Sequence, residues 1–178
     1  MLPMLCFMAA FFLSPQQEWA WRVYPESGFK ILAPYELIDR ITQVPTDVDV
    51  IEYHQYTGGS VNDSILKMAF VIDHYLMPGE LTGADETEVR DFFENTIDPV
   101  LNAVEGSLLY MDIQRYPAKE VCTWKAAYRN GEGVIRGECM LTGRKYYGLQ
   151  VFGWAQQKPE ALMNKFFDSF QLLPSPPK

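Results

Sequence analysis

CTWKAAYRNGEGVIRGEC, Cys122 to Cys139, places two cysteines at equal distance from Asn130-Gly131. Asn-Gly is the preferred centre of a two-residue type I′ turn, because both residues tolerate the positive φ that such a turn demands. If the turn closes there, residues whose numbers sum to 261 face each other, and 122 plus 139 is 261. Counting out from the closing pair Arg129/Glu132, Cys122/Cys139 falls on a non-hydrogen-bonded pair. Cα atoms of such a pair lie about 4.5 Å apart, at the short end of the disulfide range. Tyr128/Gly133, Ala126/Ile135 and Trp124/Gly137 share that face, two large rings set against two glycines. Lys125/Arg136 on the opposite face is a like-charge pair and a mild cost.

A Cys122–Cys139 disulfide is therefore expected if the chain is exported. It would stabilise by about 3 kcal/mol on the chain-entropy account. The other reading, two reduced cysteines packed as small apolar residues, stays open.

Export rests on the N-terminus. Residues 1–17 carry no charged side chain, and Leu2 to Leu13 is almost wholly apolar. Twelve such residues rise about 18 Å as a helix, short of a bilayer core of about 30 Å. That length suits the apolar segment of a signal peptide, although no Lys or Arg precedes it and no A-x-A site follows. Loss of the leader removes Cys6 and leaves two cysteines, an even count suited to an oxidising compartment. The alternative is a buried N-terminal element of a cytosolic protein.

Residues 18–173 then form one domain, followed by a Pro-rich tail at 174–178. With 14% aromatic and 21% charged residues the composition is globular. The net charge of −8 without a basic stripe argues against nucleic acid and anionic membrane surfaces as partners. No membrane span is expected in the mature chain.

Along the chain, Phe29 to Leu32 reads as a strand stopped by Pro34. Residues 48–56 are β-rich, with an alternation that slips near Ile51 as at a bulge. Gly58-Gly59 reads as part of a turn. Residues 64–76 alternate well, with Leu66, Met68, Phe70 and Ile72 on one face. Asp85 opens a helix with Glu88 three residues on. Val89, Phe92, Phe93, Ile97, Val100, Leu101 and Val104 form its stripe, and Pro99 should kink it or end its regular part. A strand from Gly106 to Pro117, the cysteine hairpin and a third strand, 145–154, make a meander. Pro159 opens a last helix with Leu162, Met163, Phe166, Phe167 and Phe170 buried. The expected fold class is α+β, an antiparallel sheet flanked by helices.

Several fragments resemble the PsbP-like superfamily. Gly28-Phe29-Lys30-Ile31 with Pro34 is similar to its opening GF-x-(V/I)-x-x-P strand, and Tyr116 to Val121 (YPAKEV) to the GYPGREF entry of its central hairpin. Tyr147 to Val151 (YGLQV) is similar to its LYQLxV strand, and Phe167 to Phe170 (FDSF) to its closing F-x-x-SF. The pieces run in the family's order over residues 21–172. The resemblance implies an α/β/α sandwich around an antiparallel sheet. The superfamily includes a photosystem accessory protein, a nuclear Ran-binding protein and many exported bacterial proteins of unassigned function. The last group is the one resembled, and it supplies no catalytic residue to carry over. Tyr116 stands where the family has glycine.

Chemistry-bearing residues are sparse. His54 and His74 are the two histidines, and with a loop at 58–63 His54 would pair near Lys67, away from His74. No metal-ligand spacing is present. Asp73-His74 are strand neighbours that point to opposite faces, which disfavours a dyad. Ser60 and Ser64 lack a nucleophile-elbow context. Asn62-Asp63-Ser64 fits a glycosylation sequon. Glu80, Asp85, Glu86 and Glu88 are explained by helix capping and dipole before calcium. No catalytic residue, metal or cofactor is expected. Trp19, Trp21 and Tyr24 form either a ligand-stacking surface, with Met77, Tyr53 and Tyr56 as extensions, or cover for a sheet edge.

The function expected is a non-enzymatic exported module that binds a protein of the envelope or extracellular space. The alternatives are a small-molecule or lipid binder with a pocket between sheet and helix, and an unrecognised hydrolase.

Overall fold

The structure is a computed structural model and describes residues 18–46, 49–62, 66–81 and 83–174. The expected leader at 1–17, Asp63 and Ser64 of the sequon, and residues 175–178 of the tail lie outside the described residues.

Among the described residues, ten strands and two α-helices run in the order β1 (Ala20–Tyr24), β2 (Phe29–Ala33), β3 (Ile38–Pro45), β4 (Val50–Ser60), β5 (Met68–Leu76), α1 (Glu86–Val104), β6 (Ser107–Tyr116), β7 (Lys119–Tyr128), β8 (Gly133–Thr142), β9 (Lys145–Trp154), α2 (Glu160–Asp168) and β10 (Gln171–Leu172). They form a seven-stranded sheet, β3-β4-β5-β9-β8-β7-β6, and a three-stranded sheet, β1-β2-β10. Every strand pair is antiparallel.

The β7–β8 hairpin turns at Asn130-Gly131 as expected, but Arg129 is left-handed as well (φ 51°), so strand pairing ends at Tyr128↔Gly133 and not at Arg129/Glu132. Asn130 has φ 55° and ψ 31°, Gly131 has φ 90°, and Glu132 N–H donates to Arg129 O at 3.2 Å. Those are type I′ angles. Cys122 faces Cys139, Trp124 faces Gly137 and Tyr128 faces Gly133. A Cβ at Gly137 would sit inside the Trp124 ring, and one at Gly133 inside the Tyr128 ring. The like charges on the outer face find partners on α2. Lys125 Nζ lies 4.0 Å from Glu160, and Arg136 bonds Asn164 and covers the Phe167 ring.

Two hydrophobic cores sandwich the large sheet. α1 lies against β6 and β7 on one face, burying Val89, Phe93, Ile97 and Leu101 against Cys122, Trp124, Ile135 and Tyr146. Its N-cap, Asp85, accepts a bond from Glu88 N–H at 2.9 Å, and the helix continues through Pro99 to Val104 rather than ending there. On the other face Phe29 and Ile31 of β2 and Met163, Phe166 and Phe167 of α2 pack on Phe70, Ile72, Tyr147, Leu149 and Val151.

This arrangement overturns the α/β/α expectation. The protein is β-rich, with two sheets and only two helices among the described residues. The second layer is a small sheet joined by a short helix, not a helical layer. The nine residues of α2 span about 14 Å, less than half of the about 29 Å across seven strands. β1, β2 and β10 cover much of the remainder.

Candidate functional site

Two corrections in register bring the chemistry-bearing residues together. β4 does not stop before Gly58-Gly59 but runs through both to Ser60. These glycines mark close approach rather than a turn. A Cβ at Gly58 would press on Leu37, and one at Gly59, which has φ 73°, on Met68 O and the Tyr35 ring. The β4–β5 connection therefore begins after Ser60, and His54 pairs directly with His74 instead of near Lys67. The expected bulge near Ile51 is absent too, since Val44 pairs with Ile51 in an unbroken register. The slip in alternation reflects a strand that is half-buried on both sides.

The second correction is β3. It forms the sheet edge beside β4, and all eight of its residues are exposed. With β3 in place, one face of the sheet divides in two. α1 covers the β6–β9 half. The other half presents Thr42 and Val44 from β3, Ile51, Tyr53 and Gln55 from β4, and Val71, Asp73 and Tyr75 from β5, fixed by the pairs Thr42↔Tyr53, Gln55↔Asp73 and Val71↔Gln150. No described helix packs on its β3 and β4 residues; at β5, Tyr75 packs into the core beneath α1 and meets Thr96 of that helix.

At its floor sits Asp73, buried. Tyr53 OH donates to Asp73 Oδ1 at 2.5 Å and Gln55 Nε2 at 3.1 Å, while Gln150 Nε2 donates to Oδ2 at 2.9 Å. Burial raises the Asp73 carboxyl above its usual range, and the three donors only partly offset that. Burial, reinforced by the neighbouring Asp73, raises the Tyr53 phenol strongly. The acid is thus turned inward, onto the sheet's own side chains.

Open grooves flank this polar point. One, of about 460 Å³, is lined by Thr42, Val44, Ile51, Tyr53 and Tyr75. The other, of about 550 Å³, lies between the end of α1 and the sheet, with Ala69, Val71, Ala103, Val104, Tyr128 and Phe152 among its walls.

The histidines lie on the opposite face. Asp39 Oδ2 is 2.9 Å from His54 Nδ1, and Glu52 Oε1 is 3.1 Å from Nε2. His74 Nδ1–H donates to Tyr146 O at 2.9 Å, and its ring stacks on Tyr147 at 4.5 Å. The two imidazoles are 6.2 Å apart. Asp73 and His74 point to opposite faces, as strand geometry requires. Among the described residues no group of three or more His, Cys, Asp or Glu side chains could hold a metal ion.

The aromatic trio does not converge. Trp19 packs edge-on against Phe70 with Lys165 over its ring. Tyr24 joins Phe29 and Tyr56 and exchanges hydrogen bonds with Leu37. Trp21 is exposed with Lys30 above it. Of the proposed extensions, Tyr53 alone belongs to the uncovered face, while Tyr56 and Met77 are core. Cys122 and Cys139 are buried, facing each other as free thiols, so the expected disulfide is not formed in the structure. Burial pushes the Cys122 thiol up strongly and Cys139 up to about 11.

Gln55 and Gln150 were missed by sequence reasoning, and Tyr53 was named only as an extension of the aromatic surface, not as a partner of Asp73. A usable signal was present: Asp73 and Gln150 are polar residues inside otherwise apolar strands, MAFVIDHYL and KYYGLQVFGW. Buried polar groups need partners, and two such strands side by side supply them.

No family model and no curated protein matches the chain in sequence. Among solved structures it is similar to cyanobacterial PsbP (CyanoP) from Synechocystis sp. PCC 6803, determined in solution. The match has 12% identity and a TM-score of 0.55, and covers 86% of this chain and 91% of that one. At this identity the likeness is one of fold, and the fold is PsbP-like.

Proposed function

We propose that the chain is an exported, non-enzymatic module that binds a protein partner of the envelope or extracellular space through the uncovered half of its large sheet. The observation that carries this reading is the pairing of two grooves, one apolar and one mixed with Glu105 and Arg129 among its walls, around an inward-turned polar point on the sheet. Mostly apolar surfaces with a few fixed polar groups are suited to recognition. Export draws on the apolar leader, and with it comes oxidation of the Cys122–Cys139 pair. Among the described residues no helix is long and apolar enough to cross a membrane.

The test is crosslinking capture from the protein's own host, comparing the wild-type chain with Ile51→Glu. This substitution charges the wall of one groove and leaves both cores intact. One partner captured by wild type and lost with I51E, at unchanged thermal stability, is the expected result. Capture of nothing, or capture indifferent to I51E, contradicts it.

A second reading, a small apolar ligand or lipid, draws on the groove between the end of α1 and β5. Solvent-extractable ligand co-purifying with wild type but not with Val71→Glu would favour it over a protein partner.

A further inference from the structure

The two edges of the seven-stranded sheet are finished differently. β6 carries a register shift between Leu108 and Tyr110, and a bulge of this kind turns an edge away from further pairing. Near its other end Arg115 is forked onto the buried Glu120, with both bonds at 3.0 Å, and also donates to Ala84 O. β3 has none of this. It pairs with β4 without a break from Ile38↔Thr57 to Pro45↔Val50. It carries no lysine, and its proline is the terminal residue. Ile38 is 71% exposed, Ile41 55% and Val44 39%. An unbroken edge of this kind, with Asp39 and Arg40 its only charges, is a template for another strand.

We propose that β3 is the seam of a two-fold homodimer, pairing antiparallel with β3 of a second copy about an axis at Ile41. The sequence of the edge selects both the occupant and the register. Directly opposite residues must point to the same side of the joined sheet, so the axis passes through a residue rather than between two. With the axis at Ile41, that residue meets its own copy. Arg40 then faces the second copy's Thr42, Asp39 faces Gln43, and Ile38 faces Val44. Apolar residues meet apolar residues, polar meet polar, and no like charges are opposed.

Neighbouring registers lack this match. An axis at Arg40 opposes two guanidiniums and sets Ile38 against Thr42. An axis at Thr42 sets Arg40 against Val44 and Asp39 against Pro45. Asp39 is held in place by His54 at 2.9 Å, and Gln43 donates to Glu52 at 3.1 Å, so both polar side chains are already ordered on their own strand. Ile38 and Val44 lie on the same face as the groove of Thr42, Ile51 and Tyr53. Pairing therefore joins the two uncovered half-sheets into one surface.

Analytical ultracentrifugation of the full chain tests this with Ile41→Lys and Ile41→Glu. Wild type is expected to be a concentration-dependent dimer. Each variant alone places like charges at the axis and weakens association by about tenfold or more. Mixing the two in equal amounts restores association, because only in this register do the introduced charges meet each other. The restored mixture also shows that both variants are folded. A wild-type monomer throughout the concentration range, including one that takes an extended peptide at this edge, overturns the proposal. So does a dimer that I41K leaves unchanged, or a mixture no more associated than its components.

Discussion

At the scale of the residue, His54 and His74 face each other across β4 and β5 and respond to pH in opposite senses. Burial lowers His74 to about 4 from its ordinary 6.5, only partly offset by the Tyr146 carbonyl, with His54 and Lys145 adding positive charge nearby. It stays neutral in the fold while a histidine in the unfolded chain takes up a proton. Its contribution is therefore complete above 6.5 and is lost as pH falls toward about 4. For His54, burial opposes the charged form, but hydrogen bonds and charge from Asp39 and Glu52 outweigh it and raise the pKa. Its contribution is complete below 6.5 and is lost as pH rises through the raised value. Urea unfolding at a series of pH values should show wild type losing roughly 3 kcal/mol relative to His74→Gln as the buried imidazole is forced to charge. Parallel curves for the two proteins would contradict the placement of His74. The pairing itself was not legible in the sequence. Gly58-Gly59 carries the usual signature of a turn, and only Tyr35, Leu37 and the Met68 carbonyl, brought close by the fold, show why glycine is needed inside a strand.

At the scale of the element, the register of the β7–β8 hairpin was readable, though its ladder ends one pair earlier than expected, at Tyr128↔Gly133. Its turn chemistry, its alternation and its ring-over-glycine pairs are all local and mutually consistent. α1 was readable for the same reason, with a capping aspartate and a full apolar stripe. β3 was not. Every position of IDRITQVP is exposed, so neither alternation nor an apolar run announces it. It becomes a strand because β4 offers it a partner, a non-local reason. The hairpin also carries the prediction attached to export. Protein recovered from the exported fraction should show no thiol at Cys122 or Cys139 until it is unfolded and reduced, and reduction should cost about 3 kcal/mol. Buried beneath α1 with raised thiol pKa values, the pair must oxidise before the helix closes over it. Two alkylatable thiols on exported, unfolded protein would remove the disulfide from the account.

At the scale of the molecule, the order of degenerate fragments resembled the PsbP-like superfamily, and the structural match at 12% identity supports the PsbP-like fold alone. The layering was misjudged because Phe29 to Leu32 was read as a strand without its partner β1, whereas the two form a second sheet completed by β10 from the far end of the chain. That error matters for function. A helical layer on each face would leave little of the sheet exposed, whereas the actual fold leaves the β3–β4 side of one face open, with Tyr53, Gln55 and Gln150 bonded to the buried Asp73 of β5 at its inner margin. The partner is proposed to sit on this half-face. Hydrogen–deuterium exchange of the full chain, free and in complex with the captured partner, reads this out. New protection is expected to be confined to β3, β4 and β5, around Thr42, Ile51, Tyr53 and Tyr75. Protection on the exposed side of α1 or along β6, with β3–β5 exchanging as in the free protein, would contradict it.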